Sequence, residues 1–102
     1  MSDGIYIRQG KASALNITTA TVVSTVPADF ARGQARLCRV TVLVAGSTAG
    51  SVNDAATLAA VASSNLVYTI PNVGGPVLVD FPMQFGIVVT PGTGQTVAIT
   101  YD

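Results

Sequence analysis

Ala35-Arg-Leu-Cys-Arg-Val-Thr-Val-Leu-Val-Ala45 is the clearest long strand-like run in the chain. β-branched and apolar residues dominate it, and these favour extended, half-buried backbone. Simple alternation puts Cys38, Val40, Val42 and Val44 on one face and Leu37, Arg39, Thr41 and Leu43 on the other. Neither face is polar throughout, so the strand is expected to be buried on both sides or to meet another subunit with one of them. Cys38 is the only cysteine, which excludes an intrachain disulfide framework. Its place in this run points to a buried small hydrophobe rather than a reactive thiol.

The segments on either side read the same way. Upstream, Leu15, Ile17 and the Thr/Val run to Val26 form one bent strand or two short ones, ended by Pro27. Residues 28–34 read as a loop in which Asp29 starts a turn and Gly33 relaxes one. Residues 1–13 are polar with small side chains and are expected to form an N-terminal arm. Downstream, Gly46 to Gly50 breaks the long strand, and Ser51 to Asp54 reads as a short strand or a cap. The alanine-rich stretch 54–64 has helix-forming residues but no charge beyond Asp54, so a loop with one helical turn is expected.

Leu66-Val-Tyr-Thr-Ile70 alternates and stops at Pro71. Pro76-Val-Leu-Val-Asp-Phe81 sets Val77, Val79 and Phe81 against Leu78 and Asp80, with Pro82 ending it. Gly86-Ile-Val-Val-Thr90, the turn Pro91-Gly-Thr-Gly94 and Gln95 to Tyr101 are expected to pair as a hairpin, with Val97, Ile99 and Tyr101 on one face. Short strands at this spacing, separated by Gly/Pro turns, predict an all-β chain. The expected architecture is a small β-sandwich or jelly-roll-like barrel of six to eight short strands, forming a single domain over residues 1–102. By area scaling, a chain of this size buries roughly 64% of its unfolded surface, enough for a modest core.

The surface is unusual. Charged residues make up 10% of the 102 residues and apolar ones 49%, against about 25% charged in an ordinary domain. Mean hydropathy is +0.54, yet no segment is long and apolar enough to span a bilayer. A chain with so few charges is expected to hide part of its exterior against a partner. Net charge is zero, which removes a global drive toward nucleic acid or anionic membrane. Five cations against Asp3 and Asp29 leave +3 through residue 39, and Asp54, Asp80 and Asp102 leave −3 beyond it. Head-to-tail contacts, basic end against acidic end, would use this asymmetry. Arg8, Lys11, Arg32, Arg36 and Arg39 are therefore the candidate partner contacts. Alternation places Arg36 and Arg39 on opposite faces of their strand, and solvated edge charges are the plainer reading of both.

Catalytic chemistry is poorly supplied. Histidine and glutamate are absent, which removes the commonest general acid–base residue and the commonest zinc ligand. A lone cysteine without histidine makes no Cys/His dyad. Gly46 to Ser51 lacks the lysine of a phosphate-binding loop and reads as a turn. Asp54 and Asp80 are the carboxylates that could pair or hold Ca²⁺, but they lack a D-x-D-x-D spacing. No enzyme activity, cofactor or metal is expected. No secretory leader is legible at residues 1–8, so use in a cytosol is expected.

Ala49-Gly-Ser-Val-Asn-Asp-Ala55, Asn65-Leu-Val-Tyr-Thr-Ile-Pro71, Asp80-Phe-Pro82, Phe85-Gly-Ile-Val-Val89 and Pro91-Gly-Thr-Gly-Gln-Thr-Val97 together resemble small β-rich virion proteins of tailed phages. These include capsid decoration (cement) proteins and head-fibre-like subunits. The resemblance covers about residues 37–102 and rests on turn chemistry, not on a catalytic signature. It implies a virion component assembled in the host cytoplasm, a homo-oligomer that is often a trimer, and the major capsid protein as partner. It carries over no catalytic residues. The alternatives are a head–tail connector or tail/fibre subunit, and a small glycan-binding module using Tyr6, Tyr68 or Tyr101.

Overall fold

The computed structural model describes residues 12–25 and 35–101. Among these are eight strands: β1 (Ala12–Ile17), β2 (Thr21–Thr25), β3 (Ala35–Val44), β4 (Gly50–Asn53), β5 (Leu66–Ile70), β6 (Gly75–Met83), β7 (Gly86–Thr90) and β8 (Thr96–Tyr101). They form two four-stranded antiparallel sheets, ordered β1-β8-β3-β6 and β2-β7-β4-β5. Strand pairs β1–β8, β2–β7, β3–β6 and β4–β5 are those of one long hairpin rolled over on itself. Further pairing of β3 with β8 and of β4 with β7 closes the two sheets, giving the jelly-roll order of an all-β sandwich.

The inner faces meet in one apolar core. Ile17, Leu37, Val40, Val42, Val97 and Ile99 come from the first sheet, and Val52, Ile70, Ile87 and Val89 from the second; Met83 joins them at the end of β6. Val97, Ile99 and Tyr101 share the core-facing side as the alternation predicts, Tyr101 packing at its margin. Cys38 is fully buried, in agreement with its expected role. The 54–65 stretch is a loop with two short 3-10 turns, Leu58–Ala60 and Ser63–Asn65.

Three expectations are corrected. The β7 and β8 segments are not a hairpin: the Pro91–Gly94 turn carries the chain from one sheet to the other, and each strand pairs elsewhere. Turn residues allow a tight reversal without choosing which strand lies alongside. Pro82 does not end β6, which continues to Met83. β6 is an edge strand of its sheet, and an edge has a side where no N–H is needed.

The third correction concerns β3. Register shifts at Leu37/Arg39 and Val42/Val44 interrupt its alternation. Leu37 and Val40 both enter the core, three residues apart, so the bulge at Cys38 changes the phase of the strand. Val44 leaves the predicted face and is exposed. The residues flanking Leu37 and Val40 on the outside, Arg36 and Arg39, therefore lie on one face, not on two. β6 carries a bulge of its own at the same level, Val79 and Asp80 standing opposite the single residue Cys38. Asp80 takes φ 53° there, a left-handed conformation that Asp tolerates better than most residues.

Of the expected N-terminal arm, residues 12 and 13 belong to β1. The remainder of that arm, Pro27 and the 28–34 loop lie outside the described residues.

Candidate interaction surfaces

The winding of the strands sends the β3–β4, β5–β6 and β7–β8 connections to one end of the sandwich. Polar side chains lock them together. Asn72 accepts from the Gly46 N–H at 2.7 Å and donates to the Gly46 carbonyl at 2.6 Å. The fully buried Gln95 accepts from the Gly92 N–H at 3.0 Å and donates to the Pro71 carbonyl at 3.1 Å. Thr48 Oγ1 accepts from the Thr93 N–H at 2.8 Å, and the Ser47 N–H donates to the Thr93 carbonyl at 2.8 Å. Loops would otherwise be the freest part of the chain; here side-chain amides and hydroxyls replace the missing strand ladder.

At the opposite end, the 54–65 excursion and the β6–β7 turn are held by acidic and amide groups. The Asp54 carboxylate accepts from the N–H groups of Gln84 (3.0 Å), Phe85 (2.8 Å) and Gly86 (3.3 Å). Asn53 Nδ2 donates to Asn65 Oδ1 at 2.9 Å and to the Ala62 carbonyl at 3.0 Å, and Asn65 Nδ2 donates to the Ala60 carbonyl at 2.8 Å. Between these groups lies an open, mostly apolar depression of about 270 Å³, bordered by Ala55, Ala56, Ala60 and the exposed ring of Phe85.

The third surface is the outer face of the β1-β8-β3-β6 sheet. Leu15, Leu43 and Leu78 stand on it, 71%, 54% and 61% exposed. Cross-strand register sets Arg39 between Thr100 of β8 and Leu78 of β6, and Thr41 between Ala98 and Pro76. Paired residues share a face, so this is a mixed apolar and hydroxyl surface with few charges.

The five arginine and lysine candidates divide as follows. Arg8, Lys11 and Arg32 lie outside the described residues. Arg36 donates to the Asp80 carboxylate at 2.9 Å, a half-exposed ion pair across the β3–β6 bulge. Arg39 is half-buried, and its Nε is removed from water without an acceptor. The structure thus brings Arg36 and Arg39 to one face and gives a carboxylate to Arg36 only, among the described residues.

Asp54 and Asp80, the two carboxylates weighed as a pair, sit on different elements and serve different partners. Among the described residues no three His, Cys, Asp or Glu side chains gather as a metal site. The loop-binding roles of Asn53, Asp54, Asn72 and Gln95 were not anticipated. Asn72 follows Pro71 in a turn, and Asn53 and Asp54 begin a loop. Those positions signal local turn bonding and carry no sign of the distant partner.

No family model matches the chain, and no curated protein or solved structure is similar to it.

Proposed function

We propose that this chain is a non-catalytic virion structural protein of a tailed phage, a decoration (cement) protein that binds the head lattice and stabilises it. The reading rests on the resemblance of residues 37–102 to such proteins and on the physics of the surface. The observation that carries it is the outer face of the β1-β8-β3-β6 sheet, with three leucines each more than half exposed. In a chain with 10% charged residues, little else on that sheet keeps water preferable to a protein neighbour.

Two further features support the reading. Both outer ends of the sandwich are tied by side-chain hydrogen bonds, so the protein presents a preformed shape and association orders little new backbone. The jelly-roll order also recurs among viral capsid domains, although a fold by itself assigns no function. Self-association as a homotrimer, with the basic N-terminal part against the acidic C-terminal part, belongs to the same proposal.

The test is co-sedimentation of the purified chain with empty heads of the parent phage, alongside sedimentation velocity of the chain alone. Saturable binding in a fixed ratio to the major capsid protein, from an oligomeric free form, is expected. A monomer that stays in the supernatant at every concentration overturns the proposal.

A further inference from the structure

Arg39 is the most unusual charged group in the described part of the molecule. Its Nε has no hydrogen-bond acceptor and is out of water; apart from the strand ladders, its described polar contact is from its backbone N–H to Thr100 Oγ1 at 3.2 Å. The neighbouring cation, Arg36, already holds Asp80. The two Nη nitrogens are not among the buried unpaired atoms and so reach the surface; a guanidinium with no carboxylate of its own among the described residues favours one brought by another molecule there, because such a bond is charge-assisted. The side chains around it, Leu78 across the β3–β6 ladder and Leu15 and Leu43 further out, are exposed and apolar.

We propose that the outer face of the β1-β8-β3-β6 sheet docks a different protein, whose contact surface presents a carboxylate inside an apolar patch, and that Arg39 receives that carboxylate. A second copy of this face is a poor occupant. Among the described residues the face nets one positive charge, Arg36 and Asp80 cancelling, so stacking it on itself opposes like charges around a two-fold axis. The face is also small for any single partner. Four strands ~4.8 Å apart, of 6, 6, 10 and 9 residues at ~3.3 Å each, give a flat patch of about 500 Å². A stable two-protein contact buries roughly 800 Å² on each partner. Such a patch suits a modest contact repeated across a lattice, where neighbouring sites add avidity. In that respect the inference deepens the virion reading and rests on it: it names the docking face and the chemistry of the shell residue that meets it.

The experiment compares head binding by the full chain and four variants, each checked for unchanged circular dichroism and thermal unfolding. Arg39→Glu and Leu78→Asp alter the face, Arg39→Met keeps its bulk without charge, and Phe85→Ser alters the far depression. The expected result is at least tenfold weaker binding for Arg39→Glu, Arg39→Met and Leu78→Asp, with Phe85→Ser within twofold of the parent. Raising salt should weaken the parent more than Arg39→Met. If the parent binds heads and the face variants bind equally well, the docking face is wrong while the virion reading stands. If Arg39→Met binds as tightly as the parent while Leu78→Asp does not, the acidic partner is refuted. If Leu78→Asp instead dissociates a self-dimer, the occupant is a second copy and the inference is overturned. A parent chain that ignores heads overturns the virion reading itself.

Discussion

The Asn72 side chain and the Gly46 peptide grip each other in both directions, the Gly46 N–H donating to Oδ1 at 2.7 Å and Nδ2 donating to the Gly46 carbonyl at 2.6 Å. One side-chain amide thereby does the work of a paired strand residue for a loop that has left its sheet. Asn72→Ala is expected to cost about 2 kcal/mol, because both Gly46 groups lose a partner in a part-buried setting. Asn72→Asp should cost at least as much, since it sets a carboxylate oxygen against the Gly46 carbonyl. Urea midpoints measure both, and a midpoint unmoved by either change would mean the bracket contributes nothing.

The same loop cluster depends on close backbone approach. A Cβ on Gly46 would lie 2.0 Å from the Thr93 carbonyl oxygen, and one on Gly92 would lie 1.9 Å from that of Thr48. Gly46→Ala and Gly92→Ala should each cost about 3 kcal/mol, as overpacking against backbone cannot be relieved by a rotamer change. Gly74→Ala is the control, its nearest neighbour being the Val42 carbonyl at 3.7 Å. It should shift thermal unfolding little.

Asp54 makes a prediction about the opposite end. Its carboxylate serves three successive N–H groups of the β6–β7 turn, so Asp54→Ala should cost about 1–3 kcal/mol and speed hydrogen exchange at Gln84, Phe85 and Gly86. Asp54→Asn retains an acceptor oxygen and should fall between the parent and Asp54→Ala. Exchange rates unchanged in Asp54→Ala would show that the turn holds itself.

Asp80 combines a left-handed backbone with an exposed ion pair, and substitutions separate the two. Asp80→Val should destabilise by about 1–2 kcal/mol, because a β-branched residue resists φ 53°. Asp80→Gly should be near neutral, the relief of backbone strain offsetting a surface ion pair worth under about 1 kcal/mol. If glycine is as damaging as valine in chemical denaturation, the ion pair matters more than the bulge.

These residues also mark how far the chain could be read before its structure. Strand positions were legible: β5 ends at Pro71 as expected, and β3 runs Ala35–Val44 where a strand over 35–45 is expected. Local chemistry determines such features. Partner choice does not lie in local chemistry, so Pro91–Gly94 looked like a hairpin turn although its two strands belong to different sheets. Bulges escaped for a related reason. Nothing in Leu37-Cys38-Arg39 announces a phase change, because the extra residue shows itself only in the pairing of β3 with β8, a strand distant in sequence. That single bulge decides the candidate site, since it moves Arg36 and Arg39 from opposite faces to one. The side-chain brackets of Asn72, Gln95 and Asp54 span 24 to 32 residues of sequence, apart from the short Gln95–Gly92 bond. Each could be seen as a turn residue, and none showed its target.

A cryo-EM reconstruction of the native phage particle tests the central claim most directly. The account predicts eight-stranded rolls repeated in register over the head, with the outer β1-β8-β3-β6 face turned toward the capsid protein and Arg39 beside a carboxylate. A head whose outer surface carries no such roll would contradict it.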